Sequence, residues 1–246
     1  ARRVREGSVP IEPAYASSYF DLGPSSPTAI VELIPGARNL LDYAGHHDLD
    51  VTARLTLFAQ VCEAVAYAHQ NQIVHRDLKP GNILVDTTGR PRLLDFGIAK
   101  LVGTAASANR SDASATVGGF GLLTPRYASP EHVKGEPITE RSDVYSLGVI
   151  LYELLTGCAV HRMTDDSPAA IVKAVCEQDV PPPSVAAAQD PQCSPISADD
   201  LKGDIDRIVL MALEKDPGRR YASAQALADD LNRHVEHLPA AARFTS

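Results

Sequence analysis

No stretch of this 246-residue sequence is apolar for long enough to span a bilayer, and its start carries no signal-peptide pattern. The longest apolar run, Val144 to Leu155, has the length of a buried helix. Taken by itself the chain reads as soluble. Basic runs with interleaved aromatics are missing too, and the formal net charge is −8. A polyanion-binding surface needs clustered Lys and Arg, so nucleic-acid binding is disfavoured. Cys62, Cys158, Cys176 and Cys193 form no Cys-x-x-Cys pair, and the histidines give no His-Glu-x-x-His. A disulfide framework or a zinc site is therefore not expected, and a reducing cytosol is the simplest compartment.

What is present is enough apolar sequence to bury a sizeable core. The opening residues are broken by Pro10, Pro13, Pro24 and Pro27. Tyr19 to Leu22 and Ala29 to Ile34 read as two strands of a hairpin, joined by Gly-Pro-Ser-Ser-Pro. Thr52 to Gln70 carries Leu55, Phe58, Cys62, Val65 and His69 at spacings of three and four, which predicts a helix with one buried stripe. Two short strands are expected at Ile83 to Val85 and Arg92 to Leu94. Residues 102–121 are rich in Ala, Ser, Thr and Gly and read as a long loop.

Ser142 to Thr156 is apolar on nearly every face, predicting a buried helix ended by Gly157. Ser167-Pro168 opens another, to about Glu177. Pro181 to Ser197 reads as a Pro- and Ala-rich loop. Ile205, Ile208, Val209, Ala212 and Leu213 mark one further helix, and Leu227, Leu231 and Val235 the last, capped by Ser223. Strands and helices do not alternate, so the fold class is α+β, a small β element followed by a mainly helical body.

The stretch VHRDLKPGNILVD, residues 74–86, interleaves charge with apolar sequence in a way that suggests a site. His75-Arg76-Asp77, with Asn82 five residues after the Asp, resembles the catalytic loop of eukaryotic-like (Hanks-type) bacterial serine/threonine protein kinases. Asp95-Phe96-Gly97 resembles that family's magnesium-binding motif, and Ser129-Pro130-Glu131 stands where Ala-Pro-Glu is usual. Ser142 to Gly148 is similar to the buried helix that anchors the loop. The four motifs occur in the family's order, and the likeness covers about residues 19–238.

The resemblance implies a protein-kinase-like fold that uses ATP and Mg²⁺. It makes Asp77 the group that accepts or orients the substrate hydroxyl proton, and Lys79 a point charge near the transferred phosphate. Asn82 and Asp95 would be the hard oxygen ligands of Mg²⁺. The backbone of Glu32 to Ile34 would meet adenine at the hinge, with Leu84 also at the nucleotide. Lys79 and Thr124 favour Ser/Thr over Tyr hydroxyls of a protein substrate. Arg76 often pairs in the family with a phosphate on the activation loop, and here Thr104, Ser107, Ser111, Ser114 and Thr116 are all candidates. Glu131 with Arg220, and Asp143 under the catalytic loop, are expected in structural roles, and His75 and Phe96 as internal packing residues.

Some of the family's pattern is not found. Between Ala1 and Ile30 there is no Gly-x-Gly-x-x-Gly and no Lys. Gly118-Gly119-Phe120-Gly121 comes after Asp-Phe-Gly, and Ala170-Ile171-Val172-Lys173 follows a helix start, so neither replaces the missing parts. Residues 1–34 are read as a remnant of the β-rich first lobe, 35–238 as the helical second lobe and 239–246 as the start of a linker. Two functions follow: a Ser/Thr kinase whose catalytic domain is incomplete and weak alone, or a scaffold of pseudokinase type. Family members are often tethered to a membrane by a later segment. No membrane contact by this chain is expected, and the oligomeric state is not legible.

Overall fold

The structure, a computed structural model, describes residues 15–21, 28–34 and 125 through their backbone, and residues 35–94, 126–161 and 167–242 in full. Strands β1 (Tyr15–Asp21) and β2 (Thr28–Ile34) pair antiparallel, with Tyr15 opposite Ile34 and Asp21 opposite Thr28. The first strand of the expected hairpin thus begins four residues earlier than the apolar pattern indicated. A second, three-stranded antiparallel sheet has the order β3 (Arg38–Asn39), β4 (Ile83–Val85), β5 (Pro91–Leu93). Its central strand is buried at all three residues, which is why it reads as a short, wholly apolar run.

Helix α1 (Leu40–His46) is capped by the Asn39 side chain, which accepts from the Asp42 backbone N–H at 3.0 Å. Helix α2 (Val51–Gln70) is capped in the same way by Asp50. Its stripe at Leu55, Phe58, Cys62 and Val65 is fully enclosed. Cys62 is simply a small apolar residue there. Burial drives its thiol pKa well upward, with the Glu63 charge adding to the push.

Helices α3 (Pro130–Lys134) and α4 (Glu140–Thr156) follow. From Ser142 to Thr156, every residue of α4 except Glu153 is buried, so the helix is hydrophobic all round because the body wraps it. Thr139 and Ser142 form a reciprocal cap at its start, and Gly157, at φ 66°, ends it in the left-handed conformation. Helix α5 (Pro168–Val172) has Ser167 as its cap and continues into a π-helical turn, Lys173–Glu177.

The Pro- and Ala-rich segment is not a loop throughout. Helix α6 (Pro183–Gln189) occupies its centre. Proline at the first helical position is pre-organised for a helix, and the three alanines after it are the best helix formers. Then come α7 (Ala198–Leu201), α8 (Asp204–Ala212) and α9 (Ala224–Val235), the last capped by Ser223 as expected. Helix α9 packs along α2, while α4 meets α8 and α2, giving one main core.

Residues 239–242, expected to begin a linker, are held to the body. Asp230, 1% exposed, accepts from the Ala241 and Ala242 backbone N–H groups at 2.6 and 2.8 Å and from the Tyr221 hydroxyl at 2.8 Å. Among the described residues no helix is long and apolar enough to cross a membrane.

Candidate active site

The loop carrying His75-Arg76-Asp77 lies between the end of α2 and β4, and buried side chains fix its backbone. Asp143, in the first turn of α4, is 1% exposed. Its Oδ2 accepts the His75 N–H at 2.8 Å and its Oδ1 accepts the Arg76 N–H at 2.9 Å. The two bonds hold Arg76 at φ 66°, a left-handed conformation that costs a residue with a Cβ and persists only where surroundings impose it. His69, from the last turn of α2, meets the same carboxylate through Nε2 at 2.8 Å. Its Nδ1 is buried without a hydrogen bond and sits 4.0 Å from a Glu140 oxygen.

His75 is completely buried. Burial lowers its pKa, outweighing the opposing pull of Asp143 and the Leu94 carbonyl. His75 Nδ1 accepts the Asp77 N–H at 3.4 Å, so the ring proton lies on Nε2, which donates to the Leu94 carbonyl at 2.9 Å. Leu94 is also held from the other side, its N–H donating to the Asn82 carbonyl at 2.9 Å. The residue before Asp95 in the sequence is thus pinned to both ends of the loop.

Three of the expected site residues come together here. Lys79 Nζ lies 2.9 Å from Asp77 Oδ2, and both side chains are partly buried. Asn82, in the tight turn Pro80–Asn82, donates from Nδ2 to the Asp77 carbonyl at 2.7 Å and to Asp77 Oδ2 at 3.2 Å. Leu84, the fourth, is only 1% exposed and packs with Ala37 and Leu94 in a small cluster apart from the main core. Glu32 and Ile34 are placed through their backbone alone, in β2 opposite Ser17 and Tyr15. Asp95 and Phe96, the Ser and Thr candidates of residues 102–121, and Thr124 lie outside the described residues. Ala170 to Lys173 is helical, so it is not the strand it imitates in sequence.

The expected ion pair is present. Arg220 and Glu131 form a two-pronged bond, Nη1 to Oε1 at 2.7 Å and Nη2 to Oε2 at 2.8 Å. Burial would raise the Glu131 pKa, but the Arg220 fork, followed by the Ser142 hydroxyl, outweighs it and holds the carboxyl at about 2. The Arg220 guanidinium also lies over the Tyr145 ring, 4.9 Å from its centre. His69 was legible only as one more member of the α2 stripe. The signal of its second role was a titratable residue at a fully buried stripe position, where only a polar partner justifies it.

Residues 27–231 match the sequence profile of the protein kinase domain. The chain belongs to that family. It is 38% identical over 179 residues to serine/threonine-protein kinase PknB of Mycobacterium tuberculosis, covering 73% of this chain and 26% of that protein. The PknB of Mycolicibacterium smegmatis is 36% identical over 209 residues, 84% of this chain and 30% of its own length. A probable serine/threonine-protein kinase PknB of Corynebacterium glutamicum is 35% identical over 212 residues, 86% and 30% of the two chains. The chain therefore spans about a quarter to a third of the length of these relatives. The kinase fold accounts for the helical body, the small sheet at its mouth and the loop braced by Asp143.

Proposed function

We propose that this chain supplies the catalytic loop of a serine/threonine protein kinase, which moves the γ-phosphate of ATP to a Ser or Thr hydroxyl of a protein. The observation that carries the reading is the cluster of Asp77, Lys79 and Asn82 on a loop whose backbone is clamped by Asp143. Phosphoryl transfer needs positioning and charge neutralisation more than covalent help. Asp77 would accept or orient the hydroxyl proton, with its carboxylate steered by Lys79 and the Asn82 amide. Lys79 would leave Asp77 in part to meet the transferred phosphate as a point charge.

The donor set suits a hard cation. Asn82 turns its amide N–H groups toward Asp77, so its carbonyl oxygen is the atom it offers Mg²⁺, with the Asp95 carboxylate as the second ligand. The bound metal would neutralise phosphate charge as the leaving oxygen departs. Adenine would meet the Glu32–Ile34 backbone. Leu84 is closed off here, so the base would reach it only after its cover moves.

Within the 246 residues the first Lys is Lys79, and no Gly-x-Gly-x-x-Gly precedes residue 30. These residues therefore do not themselves provide the phosphate-covering loop and the strand lysine of the family. Losing one pre-organised charge contact costs about 10²–10³ in rate. We expect weak turnover and weak Mg-ATP binding from the 246-residue chain alone. Calorimetry showing tight, metal-dependent ATP binding by that chain would contradict this. The wider reading is tested by mapping phosphorylated residues after the full-length protein acts on a protein substrate: Ser and Thr are expected, and tyrosine alone would overturn it.

A further inference from the structure

Away from the Asp77 loop, a cavity of about 540 Å³ opens between the end of α4, the segment that follows the π-helical turn, and α6. Its wall includes Tyr152, Val160, Asp179 and Gln189, together with two free thiols, Cys158 and Cys193. The two cysteines come from segments that touch through their backbones. Gly157, beside Cys158, lies so close to the Cys193 carbonyl that a Cβ at position 157 would be 2.4 Å from that oxygen. Both segments are held in place. The Cys158 N–H donates to Thr156 Oγ1 at 3.1 Å, and the Cys193 N–H bonds to the Asp190 carbonyl at 3.2 Å and its carboxylate at 3.3 Å. Cys193 is exposed and Cys158 is partly so, so a reagent in solution has a way in.

We propose that Cys158 and Cys193 form a reversible disulfide across this cavity, tying the end of α4 to the loop that follows α6. The bond would close a ring through α5, the π-helical turn and α6, restraining that face of the helical body without touching Asp77. The chemistry is thiol–disulfide exchange with a low-molecular-weight disulfide. The Cys193 thiolate attacks one sulfur of the reagent, forming a mixed disulfide and releasing one thiolate. The Cys158 thiolate then displaces the second. The protein loses two hydrogens and the reagent becomes two thiols, so atoms and electrons balance.

The Cys193 thiol pKa is raised, first by its hydrogen bond to Asp190 and that carboxylate's charge, and less by burial and by Cys158 nearby. The thiolate is the attacking form, so exchange should be slower at neutral than at alkaline pH. Cys176 is the control. It is also partly exposed, but its sulfur sits 3.8 Å from the Pro130 carbonyl, away from the cavity wall.

The test is to incubate the protein with oxidised glutathione and read its intact mass and disulfide-linked peptides. The expected product has lost two hydrogens and carries a Cys158–Cys193 peptide pair, reversed by a dithiol reductant. Cys193→Ser and Cys158→Ser should each abolish it, while Cys176→Ser should leave it intact. A stable glutathione adduct on Cys193 with no second step would overturn the proposal, as would a pair formed through Cys176. The two serine variants are read separately, so a folding failure in one leaves the other decisive.

Discussion

Glu131 and Arg220 are nearly sealed from water, with 5% and 0% of their side chains exposed, so each depends on the other to offset its desolvation. Removing one partner of such a pair costs about 3–5 kcal/mol, since the survivor is left charged and buried. Glu131→Gln should therefore lower stability by that order in denaturant unfolding. Its pH dependence follows from the carboxyl lying at about 2 against an ordinary 4.5. A depressed folded-state pKa gives stability that is present above the unfolded value and is lost as pH falls from about 4.5 through about 2. His161 behaves similarly on its own range. Burial, aided by the Lys215 charge, holds it at about 4 against an ordinary 6.5. Because the unfolded chain takes up this proton first, stability should fall as pH drops between those values. Unfolding curves across the acid range should show a loss below pH 4.5 that is smaller in Glu131→Gln than in the parent, with the His161 part retained in both. An unchanged acid profile in that variant would contradict a role for the pair in acid stability.

At the scale of elements, two contacts decide how the helices sit. Gly148 lets α4 approach α8, because a Cβ there would lie 2.9 Å from the Ala212 Cβ. Gly148→Ala should cost about 1–3 kcal/mol through overpacking, measured as a lower unfolding midpoint. Arg54 joins three elements without an acid: Nε reaches the Leu49 carbonyl at 2.7 Å, Nη1 the Leu154 carbonyl at 2.9 Å and Nη2 the Ala44 carbonyl at 3.3 Å. Arg54→Met keeps the apolar stem and removes those bonds, so a loss of about 2–4 kcal/mol is expected by the same measurement. Helices α2 and α4 were legible in sequence because they are long and their burial repeats over several turns. Helices α1, α3 and α6 are too short to show a period, and α6 was hidden by prolines that in fact mark its start. Arg54 was not legible at all. Nothing in its neighbours signals that an arginine on α2 will bond to carbonyls from α1 and α4.

At the scale of the whole molecule, the helical body is a mount for one short loop. Asp77, Lys79 and Asn82 are readable from the order of the motifs, since the family resemblance assigns each a place. Distance alone shows how the body serves them: Asp143 reaches the loop from 67 and 68 residues away in sequence. The His75 ring and the Asn82 carbonyl are both tied to the backbone of Leu94, which no side-chain pattern records. The role proposed for Asp77 is to handle the proton of a Ser or Thr hydroxyl during transfer. It is tested most directly by comparing initial rates of magnesium-dependent phosphate transfer for the full-length protein and its Asp77→Asn variant. A fall of about 10²–10⁴ with unchanged Mg-ATP affinity is predicted, the range for removing a general base. Equal rates in the two proteins, or no transfer by the full-length protein with Mg-ATP bound, would contradict it.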